Sequence, residues 1–205
     1  MKTLIQFLME LIHVHLVVEK HVLRYLKGIV DYGIKYDVNH KINMHGYVDS
    51  DWEGSAIDRK STSRCCFSMG SGVISWFSRK QSYVALSTAK AKYVAPCSSS
   101  YEAVWMRKLL SNLFDLQMDA TCIHCDNHSC VKLSENPVFH DKSKYIKIKY
   151  HYIKDMVQRG AMKFQYVTMD EQTADVLMKP LARVKFEYFR EKLGVLQIEV
   201  PSKGN

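Results

Sequence analysis

The chain has no internal repeat and no low-complexity segment, which excludes a stacked-repeat architecture and gives no reason to expect a long disordered tract. No secretory leader is expected. Residues 1–18 are apolar, but Gln6, Glu10, His13 and His15 interrupt them and no small-residue cleavage site follows. The same interruptions argue against a membrane span. The six cysteines, at 65, 66, 97, 122, 125 and 130, lack the regular spacing of a disulfide framework. They read as reduced thiols of an intracellular protein, in cytoplasm or nucleus. Acidic residues are in deficit: 21 Asp and Glu against 29 Lys and Arg leave a net charge of +8. That balance favours an anionic partner, nucleic acid first, although a merely basic surface has the same composition.

What is present is ordinary for a soluble globular protein. The 205 residues are 47% hydrophobic and 24% charged, enough for one sizeable domain or one domain with an appendage. Residues 3–28 carry Leu4, Leu8, Leu11, Ile12, Val22, Leu23 and Leu26 at helical spacing, with Gly28 as a stop. This helix reads either as the tail of something upstream or as a helix packed on the main domain. A short strand is expected within 30–36. Strands follow at 45–52, 65–69 and 73–78, the last two joined by the turn Gly70-Ser71-Gly72, which implies an antiparallel meander.

From Ser87 the period changes to that of a helix. Ala89, Tyr93, Val94, Val104, Trp105, Leu109, Leu110 and Leu113 form one apolar stripe to about residue 116, and Pro96 inside it predicts a kink or weakening. A fourth strand at 121–125, short helices at 128–133 and 170–178, a helix at 145–158 ending at Gly160, a fifth strand at 162–167 and a last helix at 182–193 closed by Gly194 complete the order. The tail to Asn205 is polar and reads as frayed. A meander feeding alternating helices and strands predicts an α/β fold, a five-stranded mixed sheet flanked by helices.

Three carboxylates stand in unusual places. Asp49 interrupts the strand-forming run Gly46-Tyr47-Val48-Asp49-Ser50-Asp51-Trp52, Asp126 follows Cys122-Ile123-His124-Cys125, and Asp175 lies in Thr173-Ala174-Asp175-Val176-Leu177. Each alone equally reads as a solvated aspartate or a cap. Together, at strand ends and on a short helix, they suggest a divalent-metal site assembled by folding, since Mg²⁺ prefers hard oxygen ligands. A second candidate is Cys122, Cys125, His128 and Cys130, which are zinc-ligand types. A strand over 122–125 would point Cys122 and Cys125 to opposite faces, and the spacing is too tight to wrap one tetrahedron without a loop.

The ordered words Gly46-Tyr47-Val48-Asp49-Ser50-Asp51-Trp52, Asp58-Arg59-Lys60-Ser61-Thr62-Ser63, Ile74-Ser75-Trp76, Val84-Ala85-Leu86-Ser87-Thr88, Cys125-Asp126-Asn127 and Ala174-Asp175-Val176-Leu177 closely resemble the ribonuclease H region of copia-type LTR retrotransposon Pol polyproteins. The resemblance covers roughly residues 15–195. It implies a ribonuclease H-like domain over 41–180, with 1–40 as the tail of an upstream reverse transcriptase and 181–205 as a C-terminal helix and tail. It also implies hydrolysis of RNA in an RNA–DNA hybrid by two Mg²⁺ or Mn²⁺ ions, about 4 Å apart, held by four carboxylates. Asp49, Asp126 and Asp175 match three of those ligands. The fourth, a glutamate early in the long helix, falls in Ser87-Thr88-Ala89-Lys90-Ala91-Lys92-Tyr93-Val94-Ala95, where both glutamate positions hold lysine. Positions 90 and 92 point apart on a helix, and Lys92 better matches the family's catalytic position.

Replacing Glu by Lys changes the local charge by two. A unit charge about 4 Å from another is worth roughly 4 kcal/mol at an effective dielectric of 20, and twice that for a divalent ion. A lysine can swing away, which lowers the cost, but it also competes for the site's own aspartates. Impaired cleavage is therefore expected. Tyr145, Lys147 and Pro96 also depart from the resembled pattern, as do Arg64, for a usual glycine, and Met178, for a usual threonine. The changes Glu to Lys, Gly to Arg and Thr to Met fit a decaying copy eroded by cytosine deamination. Arg59, Lys60, Arg79, Lys80, Lys142, Lys144, Lys147 and Lys149 lie near predicted loop edges. They are expected either to touch phosphates or to form a solvated basic face. Trp76 is expected in the core.

Overall fold

The structure is a computed structural model that describes residues 13–51, 60–81, 88–128, 131–132, 144–177 and 180–198. The chain divides into two units, residues 1–33 with 196–205 and residues 34–195. In the first unit, helix α1 (His13–Gly28) exposes Leu16, Val17, Val18, Leu23 and Leu26, and the Ile198 amide donates to the Asp31 carbonyl. Residues 3–12 of the expected 3–28 helix lie outside the described residues. Strand β1 (Tyr32–Ile34) falls at the division.

The second unit is built on one five-stranded sheet. Its strands are β2 (Met44–Asp51), β3 (Thr62–Met69), β4 (Gly72–Lys80), β5 (Thr121–Cys125) and β6 (Met162–Tyr166), in the spatial order β4-β3-β2-β5-β6. β2, β3 and β4 are antiparallel neighbours. β5 and β6 run parallel to β2. The two parallel connections are made through helix α2 (Thr88–Phe114) and helix α3 (Lys144–Gln158). A parallel strand needs such a crossover, whereas the β3–β4 hairpin needs only the two-residue turn at Gly70-Ser71, with Gly70 at φ 59°. The expected five-stranded mixed sheet flanked by helices is what forms.

Period-2 burial sorts the sheet into two faces. Val48, Cys65, Phe67, Phe77, Ile123, Cys125, Met162 and Phe164 pack with Ala95, Ala103 and Met106 of α2. On the other face Cys66 and Val73 meet Ala174 and Leu193, with Tyr47, Val176 and Leu177 packed against them. Gly46 lies directly across from Phe67, and a Cβ at 46 would come within 2.5 Å of that ring. The glycine that opens the Gly46–Trp52 word is therefore a packing requirement of β2.

Several expectations need correction. The apolar stripe of α2 splits. Val94, Ala103 and Met106 turn inward, but Trp105 is 58% exposed and Leu109 and Leu113 are exposed too. Trp105, Leu109 and Leu113 follow one another at i, i+4 spacing and so share the helix face turned from the sheet, while Leu110 beside them packs on the core. Trp76, expected in the core, is 57% exposed, because β4 is an edge strand. Pro96 does not interrupt the helix, which is continuous through it. Ser99 Oγ and Ser100 Oγ both donate to the Pro96 carbonyl, at 2.8 and 2.7 Å.

The segment expected to be helical over 170–178 is a short 3-10 turn, Thr173–Leu177. Helix α4 (Arg183–Lys192) ends at Gly194, whose φ of 73° suits the left-handed closure of a helix. The tail does not fray at once. Lys35 N donates to Gly194 O, and Val195–Gln197 is a strand, β7. Of the expected short helix at 128–133, positions 129, 130 and 133 lie outside the described residues, and His128, Val131 and Lys132 are helical. No helix among the described residues is long and apolar enough to cross a membrane.

Candidate active site at the carboxyl ends of the central strands

The sheet register brings Asp49 and Asp126 together. Val48 and Cys125 are the last paired residues of the parallel strands β2 and β5, and each aspartate is the next residue along. Neighbouring strands lie about 4.8 Å apart, so the two carboxylates leave adjacent strand ends side by side. Asp49 is 7% exposed and Asp126 half-buried. Both line one shallow crevice, too narrow to admit a water-sized sphere, with Val48, Ser50, Pro96, Cys125 and Asn127.

Pro96 in that lining identifies which face of α2 looks at the site. Residues four apart on a helix share a face, so position 92 lies one turn before Pro96 on the same side. Position 90 is six residues before Pro96 and falls about 120° around the axis. The backbone of α2 thus sets position 92, and not position 90, toward the strand ends. Pro96 also lacks the N–H that would bond the carbonyl of residue 92.

Asp175 arrives from the opposite face. Its 3-10 turn packs Ala174 on the cluster that contains Cys66, and Asp175 is 5% exposed. Gln172 anchors the turn. Its Nε2 donates to the Val48 carbonyl at 3.0 Å, the residue before Asp49, and its Oε1 accepts from Ala174 N at 3.4 Å. Gln172 is 1% exposed, and no periodicity in the sequence marks it out; only its place one residue before the Thr173–Leu177 word hints at a role.

The antiparallel register adds a residue that spacing alone does not associate with the acids. Asp49 pairs with Arg64 of β3, and Arg64 pairs with Ser78 of β4. Arg64 Nε donates to Ser78 Oγ at 3.2 Å. One step further along, Ser50 pairs with Ser63 and Ser63 with Arg79; then Asp51 pairs with Thr62 and Thr62 with Lys80. Arg79 and Lys80, both exposed, therefore stand two strands away at the same end of the sheet as Asp49. Lys60 is half-buried just before β3, while Arg59 lies outside the described residues.

Away from the strand ends the same face carries rings. Tyr47 stacks on His124 at 4.7 Å, His45 stands edge-on to both, and Lys192 Nζ lies 5.6 Å above Tyr47. Burial, then the proximity of His45 and Lys192, pushes the His124 imidazole down to about 4. Burial lowers His45 as well.

The donor set does not fit a pair of divalent ions. Two carboxylates line the cleft, lysine holds the position one turn before Pro96, and an arginine sits across the ladder from Asp49. Among the described residues, no three His, Cys, Asp or Glu groups gather as they would around a metal. The zinc candidate fares no better on geometry. Cys122 is half-buried on one face of β5 and Cys125 is buried on the other, and Cys130 lies outside the described residues.

The strand order, with the hairpin strands on one side of β2 and the parallel strands on the other, and with an acid at each central strand end, defines a ribonuclease H-like domain. The sequence relationship is narrower. The chain is 40% identical over 185 residues to the retrovirus-related Pol polyprotein from transposon RE2 of Arabidopsis thaliana, and 38% identical over 184 residues to that from transposon RE1 of the same plant. Each alignment takes in 90% of this chain and 13% of the relative, so the chain spans about an eighth of those polyproteins. It is a homologue of copia-type retrotransposon Pol polyproteins. No family model matches the sequence. Among solved structures, the N-terminal RNase H domain of a Mycobacterium tuberculosis protein is similar at a TM-score of 0.48 and 13% identity, over 74% of this chain and 98% of that one. That likeness is weak, and the assignment rests on strand order and sequence.

Proposed function

We propose that this is the ribonuclease H-like domain of a retrotransposon polyprotein, with residues 1–40 the tail of a preceding reverse transcriptase. Its ancestral reaction is hydrolysis of RNA in RNA–DNA hybrids, and in this copy that reaction is impaired. One observation carries the reading: Asp49 and Asp126 share a cleft with Pro96, which puts position 92, a lysine here, on the helix face that looks into it. Asp49, Asp126 and Asp175 are the acids that would hold Mg²⁺ or Mn²⁺ in an intact site, where the metal activates water and stabilises the leaving oxygen.

Binding outlasts chemistry in this reading. Arg79 and Lys80 flank the carboxylate end, where they suit the phosphates of a hybrid recognised by backbone shape and 2′-hydroxyls. Two assays test the two halves. Hybrid cleavage is measured for the chain beside Lys92→Glu and Lys90→Glu, and only Lys92→Glu is expected to restore metal-dependent cutting. Fluorescence anisotropy with a labelled hybrid is expected to show salt-dependent binding. Its log–log salt slope should fall by about 1–2 in Arg79→Ala/Lys80→Ala, near 0.9 per lost phosphate contact. An unchanged slope removes these residues from the interface.

A further inference from the structure

On the reading of this chain as a hybrid-binding domain, we infer that His128 and Tyr166 form a stacking platform for an unpaired nucleobase beside the acids. The nucleic acid that this domain takes best is then a hybrid with a single-stranded extension. Arg79, Lys80 and position 92 play no part in this platform.

The two rings sit at the acid end of the sheet. Tyr166 faces Cys125 in the parallel β5–β6 pair, and Cys125 is the residue before Asp126. The ladder continues one bond further, with Val167 N donating to Cys125 O at 3.0 Å. Asn127, between Asp126 and His128, lines the crevice that the two aspartates share. Phe164, two residues before Tyr166, packs in the core under α2. Strand alternation therefore sends Tyr166 to that same face, the one from which Pro96 lines the crevice.

The His128 and Tyr166 rings lie face to face, with centroids 3.6 Å apart and planes 11° from parallel. The pair stays in contact with water. Tyr166 is 38% exposed, His128 is exposed as well, and neither belongs to a core cluster. Burial of apolar area therefore does not account for the stack. Among the described residues each ring has only the other as a ring neighbour, which leaves a solvent-facing aromatic surface beside Asp126.

A cation completes the arrangement. Val131 N donates to Asn127 O, closing a helical turn that puts Lys132 one turn after His128 on the same helix face. Lys132 is exposed and forms no ion pair among the described residues. A flat aromatic surface with a cation one turn away matches the two parts of a nucleotide, the base that stacks and the phosphate that is neutralised. The net charge of +8 favours such an anionic ligand. Bases inside a duplex already stack on their neighbours, so the base received here is an unpaired one next to the end of the hybrid.

Fluorescence anisotropy in EDTA tests this without any chemistry. The full chain is titrated against a blunt labelled RNA–DNA hybrid, the same hybrid with a short single-stranded extension on the RNA or on the DNA strand, and the single strands alone. At least one extension is expected to tighten binding about fivefold or more, the size of one base–aromatic stack. An extension of abasic residues, which keeps the phosphates and lacks the bases, should lose most of that gain. His128→Ala should remove the gain and leave the affinity for the blunt hybrid unchanged, and His128→Phe, which keeps a ring, should retain it. Lys132→Ala should lower the log–log salt slope of the extended hybrid by about 0.7, one phosphate contact on a single strand.

Equal affinities for blunt and extended hybrids overturn the platform and leave the hybrid reading standing. So does an abasic extension as good as an intact one, or a loss in His128→Ala that is the same on both hybrids. Binding of a single strand that depends on the ring at 128, with no binding of the blunt hybrid, retains the platform and overturns the hybrid reading. Binding to none of these nucleic acids overturns both.

Discussion

Gln172→Leu is the sharpest probe of how the candidate site is held together. The wild-type amide is 1% exposed and makes two hydrogen bonds, donating to Val48 O at 3.0 Å and accepting from Ala174 N at 3.4 Å. Leucine keeps nearly the same volume and makes neither. A net 0.5–1.5 kcal/mol per hydrogen bond, plus part of the desolvation cost of groups left without that partner, gives about 2 kcal/mol. For a chain of this size that is a fall in Tm of about 4–8 °C. Gln172→Glu should cost more, because a carboxylate oxygen would face the Val48 carbonyl where an N–H now donates. Urea unfolding followed by far-UV circular dichroism gives the free energies. If Gln172→Leu lies within about 0.5 kcal/mol of wild type, the turn bearing Asp175 is not anchored through this amide and the account of its placement fails.

Two further perturbations follow from the same geometry. The His124 imidazole titrates near 4 in the folded chain against an ordinary value of 6.5. The unfolded chain therefore binds more protons between those values, so stability is lost as pH falls from about 6.5 toward 4. His45 adds in the same direction, and Lys192 beside both opposes their protonation. His124→Gln should flatten the decline in urea midpoint between pH 7 and 5, and an unchanged decline would show that folding does not depress this ring below its ordinary value. Pro96→Ala tests the helix. A helix-interior proline costs ~3 kcal/mol relative to alanine, against about half of that for the ring carbons removed from a fully buried site, leaving a net gain of about 1–2 kcal/mol. A loss of stability would mean that the serines at 99 and 100 already offset the proline.

Much of the fold was legible because it is encoded locally. Gly70-Ser71-Gly72 marks the hairpin, the change of period at Ser87 marks α2, and Gly160 and Gly194 fall just past α3 and α4 with positive φ. Burial by sheet edge and helix face was not legible. Trp76 and Trp105 satisfy an apolar pattern, yet one sits on an edge strand and the other on the same outward face of α2 as Leu109 and Leu113. Strand β7, at three residues, is too short to leave a periodic signature, and the 3-10 turn at 173–177 differs from a short helix only in tightness.

The site divides in the same way. Asp49, Asp126 and Asp175 could be named because carboxylates among strand formers are conspicuous. Gln172 and Arg64 could not be tied to them, because their relation to Asp49 exists only in register and docking, at separations of 124 residues for the Gln172–Val48 bond and of an antiparallel pair for Arg64. Pro96 was visible as a helix breaker, and its lining of the cleft was not.

The most direct test of the central claim is metal-dependent cleavage of an RNA–DNA hybrid by the wild-type chain and by Lys92→Glu, in Mn²⁺ and in EDTA. The lysine at position 92 predicts no cleavage above background for wild type, and recovery in Lys92→Glu that is abolished by EDTA and by Asp49→Asn. Wild-type cleavage as fast as that of Lys92→Glu, and lost on Asp49→Asn, would contradict it by showing that the site works with lysine in place.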